Sequence, residues 1–309
     1  MKAVRLHAYG GPENLKFDTD VPDPECGADS VLIEAAATSV NPIDWKIRSG
    51  ARQKDFPMTL PVILGKDVSG VIRAVGQNVR TFKVGEQVLA QAEHTYAELV
   101  AVAGALVTHL PEGMQLIDAA AIPLVVLTGD QLVRVAARAQ RGQTFIVSGA
   151  LGSVGRAAVH TAKKLGVHVI AGVRARQLKD AQALEVSGTL AIDDANAIGN
   201  LPLVDGVIDT VGGETAGMLF ARVKNGGSFG YASVFPEGAS AANPSVRITR
   251  VLARPDASKV REFADDIRDG RFVLPINQRL PLREAARAHV MAQQGGAGKL
   301  ILVIRDTLV

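Results

Sequence analysis

The chain has 309 residues, enough for two domains with a substantial core. Hydrophobic residues make up 47% and aromatic residues 4%, with 31 glycines, which fits an α/β protein built on small aliphatic side chains. The net charge of +3 is scattered, with only Lys163-Lys164 adjacent, and Cys26 is alone; this argues against a nucleic-acid tract or an anionic membrane surface and excludes an internal disulfide or a multi-thiolate zinc site.

The N-terminus, Met1-Lys2-Ala3-Val4-Arg5, lacks the apolar core of a signal peptide, so a cytoplasmic location is expected. Lys2–Ala8 and Val31–Val40 read as strands, separated by the Pro/Asp/Gly-rich loop Asp20–Asp29. Ser69–Val75, Gln87–Ala90 and Tyr96–Val102 are further short strands, punctuated by Gly65, Gly70, Gly76 and Gly85. Strands at this spacing predict a barrel-like β domain. The longest apolar run, Ala119–Leu127, is interrupted by Pro123, and Asp118–Ala139 is expected to be helical and to open a second domain.

Thr144–Ser148 is a short β-branched burst that suits a strand buried on both faces. Gly149, Gly152 and Gly155 follow at three-residue spacing, and from Ser153 the pattern turns helical until Gly166, placed as a C-terminal cap. Val167–Ala171 completes a strand–helix–strand unit. Glycines in such a turn let the backbone approach a pyrophosphate, and the helix N-terminus favours its charge. The usual G-x-G-x-x-G has glycine where this chain has Ala150, but the flanking strand, helix and strand are all present.

The end of the second strand sets the choice of dinucleotide. A NAD site usually places an acid there for the ribose hydroxyls. This chain reads Val173-Arg174-Ala175-Arg176-Gln177, and its next acid, Asp180, falls inside the following helix. Two guanidinium groups suit a 2′-phosphate, so NADPH is favoured; ordinary solvated arginines are the competing reading.

Further on, Gln177–Ser187 is expected to be a helix ended by Gly188, Thr189–Ile192 a strand, and Leu203–Asp209 a buried strand. A helix to Val223 and strands Gly227–Val234 and Val246–Leu252 complete six alternating elements, the pattern of a doubly wound parallel sheet. Lys259–Asp269 reads as a helix capped by Gly270. Leu282–Gln293 is a second helix and Lys299–Ile304 a last strand, a tail too short for a third domain that should pack on the first.

Taken together, the ordered motifs resemble the zinc-lacking quinone-oxidoreductase branch of the medium-chain dehydrogenase/reductase superfamily. The carriers are Thr38–Asp44, Gly65–Gly70, Val75–Val79, Phe82–Glu86, Ala119–Leu124, Leu127-Thr128, Ser148–Gly155, Asp209–Gly213 and Gly298–Leu300. The resemblance implies an α/β architecture: a GroES-like β-barrel domain over residues 1–118 and 254–309 and a Rossmann domain over 119–253, with nicotinamide between them. It also implies NADPH-dependent reduction of quinones or related conjugated carbonyls, usually by a homodimer. Zinc-dependent relatives carry a catalytic cysteine where this chain has Asn41 and a His-Glu pair where it has Lys66-Asp67, so zinc is not expected.

By family position, Asn41 and Thr128 would lie near the nicotinamide, and Ser148, Gly149, Gly152, Ser153, Val154 and Gly155 on the pyrophosphate side. Arg174 and Arg176 would meet the 2′-phosphate, with Thr210, Val211, Ser233 and Lys299 along the cofactor's path. Asn41 could fix the carboxamide, or serve only as a turn residue. Asp44 and Lys46 are the other catalytic candidates: Lys46 could stabilise a developing enolate or hydroquinone oxygen, against the simpler reading of a solvated lysine. Asp67 is expected to anchor a loop, and the histidines, His289 among them, to serve packing or the surface. Hydride transfer to a quinone or enone needs chiefly positioning, with a proton available from water. An alkenal or enone double-bond reductase and a non-catalytic NADPH-binding sensor remain the alternatives, since both fit the same motifs.

Overall fold

A computed structural model describes residues 1–296 and 298–305. Ala3–Leu6 (β1) pairs antiparallel with Leu15–Asp18 (β2) and with Val62–Ile63 (β4). Ser30–Val40 (β3) is the longest strand, and its burial explains its sequence. Val31, Ile33 and Ala35 alternate inward, whereas from Ala35 to Val40 every residue is buried. It is followed by a short helix, Pro42–Arg48 (α1), with Pro42 at the first position, where its missing N–H costs nothing. Asp67–Val75 (β5) pairs with β3 and with Gln87–Gln91 (β6). Leu99–Ala103 (β7) also pairs with β3, and Val107–His109 (β8) with β6. The inward side chains of these strands form an aliphatic core around Val31, Ile33, Val68, Ile72, Val88 and Val100.

Leu116–Ala119 (α2) leads into Pro123–Gln131 (α3), which runs on into a π-helical stretch, Leu132–Ala137. Pro123 therefore starts a helix rather than breaking one. The 22 residues Leu116–Ala137, two helices with a three-residue turn between them, have a mean hydropathy of 1.6 in their most apolar window, 67% of which is buried inside the protein. By length and composition this stretch matches a membrane span, as the core helix of a soluble protein also does.

The next strands are Thr144–Ser148 (β9), His168–Val173 (β10), Gly188–Ala191 (β11), Val204–Asp209 (β12), Val223–Tyr231 (β13) and Arg247–Arg250 (β14). All pair in parallel, in the order β11-β10-β9-β12-β13-β14. That order, with its reversal between β9 and β12, is the Rossmann arrangement, in which ligands bind at the carboxyl ends of the strands beside the switch point. Two apolar layers cover the sheet, one holding Phe145, Val147 and Ala158 and the other Ile146, Val207, Leu219 and Phe229. Ser153–Lys164 (α4) connects β9 to β10, and Gly166 with φ +75° follows its end as expected. The helix expected over Gln177–Ser187 is broken into short turns around Leu178–Ala181 (α5) and stops by Leu184, with Glu185 left-handed at φ +50°. Gly188 is not its cap: it is the first residue of β11, paired with Ile170. Ala195–Gly199 (α6) was not legible as a helix; Asp194 starts it by accepting the N–H groups of Asn196 and Ala197. Gly213–Phe220 (α7) ends before Val223, which belongs to β13 rather than to the helix.

After Ala257–Arg268 (α8) the chain adds Ile276–Pro281 (β15), Ala285–Gln294 (α9) and Lys299–Val303 (β16). β16 pairs antiparallel with β3, and β15 parallel with β16, so the tail joins the sheet begun by the N-terminal strands. The chain forms two compact units, Met1–Leu124 with the described residues from Pro255 onward, and Val125–Arg254. The fold is thus α/β, a mostly antiparallel β unit and a doubly wound parallel sheet.

Candidate functional site

In the parallel-sheet unit, the glycine turn divides its work among three positions. Gly149 has φ +63°, a left-handed value, and a Cβ there would lie 2.5 Å from Thr210 Oγ1. Gly155 lies inside the first turn of α4, and a Cβ on it would stand 2.1 Å from the Gly149 carbonyl, so only glycine lets helix and strand approach this closely. Gly152 is different. It is the exposed N-cap of α4, has an ordinary extended backbone, and a Cβ would meet only the Gly149 oxygen, at 3.2 Å. The space it leaves free faces outward, at a helix end that carries no side-chain cap and no acid in its first turn. Such an end suits a pyrophosphate. Ala150, the departure from the usual motif, is fully buried in the apolar layer, so its methyl group packs inward.

The carboxyl ends of β9 and β12 are tied together by one buried acid. Ser148 Oγ donates to Asp209 Oδ1 at 2.6 Å and accepts from the Thr210 N–H at 2.9 Å. Thr210 Oγ1 donates back to the Ser148 carbonyl at 2.7 Å, and the N–H groups of Val211 and Gly212 also point to Asp209 Oδ1, each at 3.3 Å. Burial pushes the Asp209 carboxyl up, against these hydrogen bonds. Ser233 donates to the Val211 carbonyl at 3.1 Å. Ser148, Gly149, Thr210, Val211 and Ser233 are therefore brought together with the α4 N-terminus, where Ser153 and Val154 are half-buried. Thr128 is half-buried on α3, which closes on α4 at Gly129: a Cβ there would meet Ala157 Cβ at 2.6 Å. Arg174 and Arg176 are exposed just beyond β10, and among the described residues neither guanidinium has an ion-pair partner. Asp193 reaches the same turn, accepting from the Ala175 N–H at 2.7 Å.

In the other unit, the candidates meet in a buried polar cluster around the N-terminus of α1. Asn41 is the N-cap, and its side-chain Nδ2 donates to Asp67 Oδ2 at 2.7 Å while its Oδ1 accepts from Lys299 Nζ at 2.6 Å. One acceptor lone pair on Oδ1 remains. Lys299 also stands 3.8 Å from Asp67, and both are buried, so the pair neutralises itself in the interior. Burial pulls the Lys299 ammonium down, opposed by Asp67 and Asp44. Asp67 accepts in addition from Ser39 Oγ and, through Oδ1, from the Leu124 N–H at 2.7 Å, which makes it the anchor that the sequence suggests.

Asp44 completes the helix start: its Oδ2 accepts from the Asn41 N–H at 2.8 Å, the acidic half of a capping box. Tyr96 Oη lies 3.2 Å from that oxygen and 3.1 Å from His289 Nε2. All three residues are buried. Burial drives the Asp44 carboxyl up to about 7, with Asp67 adding to it and Lys66 and Lys299 opposing. Burial, with Arg48 nearby, pulls His289 down to about 3. Tyr96 and His289 carried no sequence signal, since their partners lie 52 and 193 positions away. The Lys46 ammonium lies 5.5 Å over the Trp45 ring. Among the described residues, no three His, Cys, Asp or Glu side chains are grouped to hold a metal ion.

Residues 27–120 match the alcohol dehydrogenase GroES-like domain, and residues 193–302 the zinc-binding dehydrogenase domain. A quinone oxidoreductase of Pseudomonas aeruginosa is 33% identical, over 98% of this chain and 99% of its own. The quinone oxidoreductase structure from Coxiella burnetii superposes with a TM-score of 0.88 at 25% identity, covering 99% of both chains. A mycobacterial protein complexed with NADPH superposes with a TM-score of 0.84 at 27% identity, covering 98% of this chain and 100% of its own. Relatives this similar over nearly full length, together with the two folds and the glycine turn, show that the chain belongs to the quinone oxidoreductases of the medium-chain dehydrogenase/reductase superfamily and is a NAD(P)-dependent oxidoreductase.

Proposed function

We propose that the chain is an NADPH-dependent reductase that passes hydride to a quinone or a related conjugated carbonyl without zinc. The carrying observation is the end of β10, where Arg174 and Arg176 stand exposed with no ion-pair partner among the described residues and the strand itself ends on no acid, the nearby Asp193 being held by the Ala175 N–H. Guanidinium groups there favour a 2′-phosphate. The name of the P. aeruginosa relative and the NADPH in the mycobacterial neighbour support the reading.

On this reading, Gly152, Ser153 and Val154 present their backbone to the pyrophosphate, while Gly149 and Gly155 let the turn close. Ser148, Asp209 and Thr210 hold the loop of Val211 and Ser233 against the cofactor's path, and Thr128 lies toward the nicotinamide. Asn41, held from both sides, offers its remaining lone pair to a carboxamide N–H. The bound cofactor supplies the hydride; the chain supplies orientation, and Asp44, whose burial raises its carboxyl to about 7, is the buried acid on the Asn41 side.

The test is NADPH oxidation over a panel of quinones, alkenals and enones, with NADH in parallel. Quinone turnover with NADPH preferred is expected. Turnover of alkenals but not quinones would move the assignment to a double-bond reductase, and tight NADPH binding without any turnover to a non-catalytic binder.

A further inference from the structure

We propose that Asp193, just past the end of β11, is a positioning residue for the cofactor's 2′-phosphate: it fixes the turn that carries Arg174 and Arg176. This deepens the NADPH reading and rests on it for the phosphate. The turn itself rests on geometry within the parallel-sheet unit. Arg174 and Arg176 flank Ala175, and the Ala175 N–H donates to Asp193 Oδ1 at 2.7 Å. The two residues are 18 positions apart, so the sheet, not chain proximity, makes the bond.

The strand pairing delivers the carboxylate to this point. β10 and β11 run parallel with Val173 opposite Ala191, and the ladder continues one step, from the Ile192 N–H to the Val173 carbonyl at 2.9 Å. Ile192 is buried, and Gly172 leaves it room: a Cβ on Gly172 would lie 2.8 Å from Ile192 Cγ2. Asp193, the next residue, meets the start of the helical turn Ala175–Gln177. Such a turn opens with N–H groups that have no partner inside it. Arg174 occupies the N-cap position but has no side-chain acceptor to offer, and Asp193 takes that part from the neighbouring strand. Gln177 closes the turn from its other end. Its N–H donates to the Arg174 carbonyl at 2.8 Å, and its Oε1 accepts from the Arg174 N–H at 3.4 Å. The adjacent Asp194 is engaged separately, at the start of α6.

The consequence follows from what can be fixed in advance. Both arginine side chains are exposed and keep their rotamer freedom, so the backbone between them is the part the protein can order before a ligand arrives. An ordered turn lowers the cost of closing two guanidinium groups on one phosphate. The Asp193 charge acts in the opposite sense, because a carboxylate near a phosphate opposes it. Placement and charge therefore have opposite signs, and two substitutions separate them.

Asp193→Asn keeps an oxygen for the Ala175 N–H and removes the charge; Asp193→Ala removes both. NADPH and NADH affinities of the full-length parent and both variants are compared at fixed ionic strength. Asp193→Ala is expected to weaken NADPH about five- to tenfold, while Asp193→Asn binds it as tightly as the parent or more tightly, with NADH within about twofold throughout. Equal NADPH affinity in the two variants overturns the proposal, since the tether would then contribute nothing. A loss of NADH binding in both variants with NADPH unharmed also overturns it, and marks an acid that serves the ribose hydroxyls instead. Equal weakening of both cofactors in Asp193→Ala counts against it too, as a general loss of structure. The tether is read without any cofactor from hydrogen exchange at the Ala175 amide, expected to be faster in Asp193→Ala than in the parent and in Asp193→Asn; unchanged exchange contradicts it. In the Arg174→Ala/Arg176→Ala background, Asp193→Ala should cost NADPH nothing further. If that background binds NADPH as the parent does, the NADPH reading fails and the phosphate role of Asp193 falls with it, whatever the Ala175 exchange shows.

Discussion

The two units use buried acids in opposite ways. In the parallel-sheet unit, Asp209 is ringed by donors from Ser148, Val211 and Gly212, all within three residues of the carboxyl ends of β9 and β12. It sets the shape of a backbone surface, and among the described residues no cation is hydrogen-bonded to it. In the other unit, Asp44 and Asp67 share a core with Lys299, Tyr96 and His289, drawn from five separate stretches of chain. The first arrangement holds a loop; the second holds charge and a proton. Binding is therefore expected to fail when backbone space is filled, and pH response to fail when a buried side chain is removed.

Filling backbone space should have the largest effect. Gly152→Val leaves the fold intact, because only one backbone atom stands near the new Cβ, but it blocks the pyrophosphate. Losing two or more charge-assisted hydrogen bonds should weaken NADPH by about 4 kcal/mol or more, roughly a thousandfold. Gly155→Val should instead destabilise the unit, since its Cβ would strike the Gly149 carbonyl at 2.1 Å. Circular dichroism melting and NADPH titration of both variants separate the cases; a stable Gly152→Val protein with parental affinity would place the pyrophosphate elsewhere.

Removing the buried ammonium comes next. Lys299→Met leaves Asp67 with its hydrogen bonds but no counter-charge, a loss of about 3–5 kcal/mol. Urea unfolding should show the drop, with recovery in Lys299→Met/Asp67→Asn. A variant as stable as the parent would mean that the pair is not a charge pair in solution.

Asp44 and His289 give a signed prediction for pH. The folded Asp44 value, about 7, lies above its ordinary 3.8, so its stabilisation is full below pH 3.8 and is lost as pH rises toward 7. The folded His289 value, about 3, lies below its ordinary 6.5, so its contribution is present above 6.5 and is lost as pH falls. Between about pH 4 and 6.5 the unfolded chain holds one proton on His289 and the folded chain one on Asp44. The two slopes, about 1.4 kcal/mol per pH unit each, therefore cancel. Asp44→Asn should expose a loss of stability on acidification, and His289→Gln a loss on alkalinisation. Equal slopes in parent and both variants, from unfolding at pH 4.5, 5.5 and 6.5, would contradict the assignment.

The same contrast explains what could be read in the sequence. The glycine turn and the parallel sheet were legible because their residues are contiguous and their spacing carries the chemistry, and β9, α4 and β10 follow the expected bounds within a residue or two. Asn41, Asp44 and Lys299 were singled out through family motifs, yet their mutual contacts were not, because β16 brings Lys299 to Asn41 across 258 positions. Gly188 misled because a glycine after an apolar stretch reads as a helix cap, while strand pairing with Ile170 decided its place. Val223 was absorbed into a helix for the same reason: its partner on β12, Val204, lies well upstream.

The central claim, NADPH as the cofactor, is tested most directly by comparing NADPH and NADH affinity in the parent and in Arg174→Ala/Arg176→Ala at fixed ionic strength. Two charge-assisted contacts at about 1.5–3 kcal/mol each should cost NADPH roughly 3 kcal/mol, on the order of a hundredfold, with salt screening lowering the figure at an exposed site. NADH lacks the 2′-phosphate, so its affinity should stay within about twofold. If both cofactors weaken equally, or neither does, the two arginines are ordinary surface residues and the NADPH assignment is contradicted.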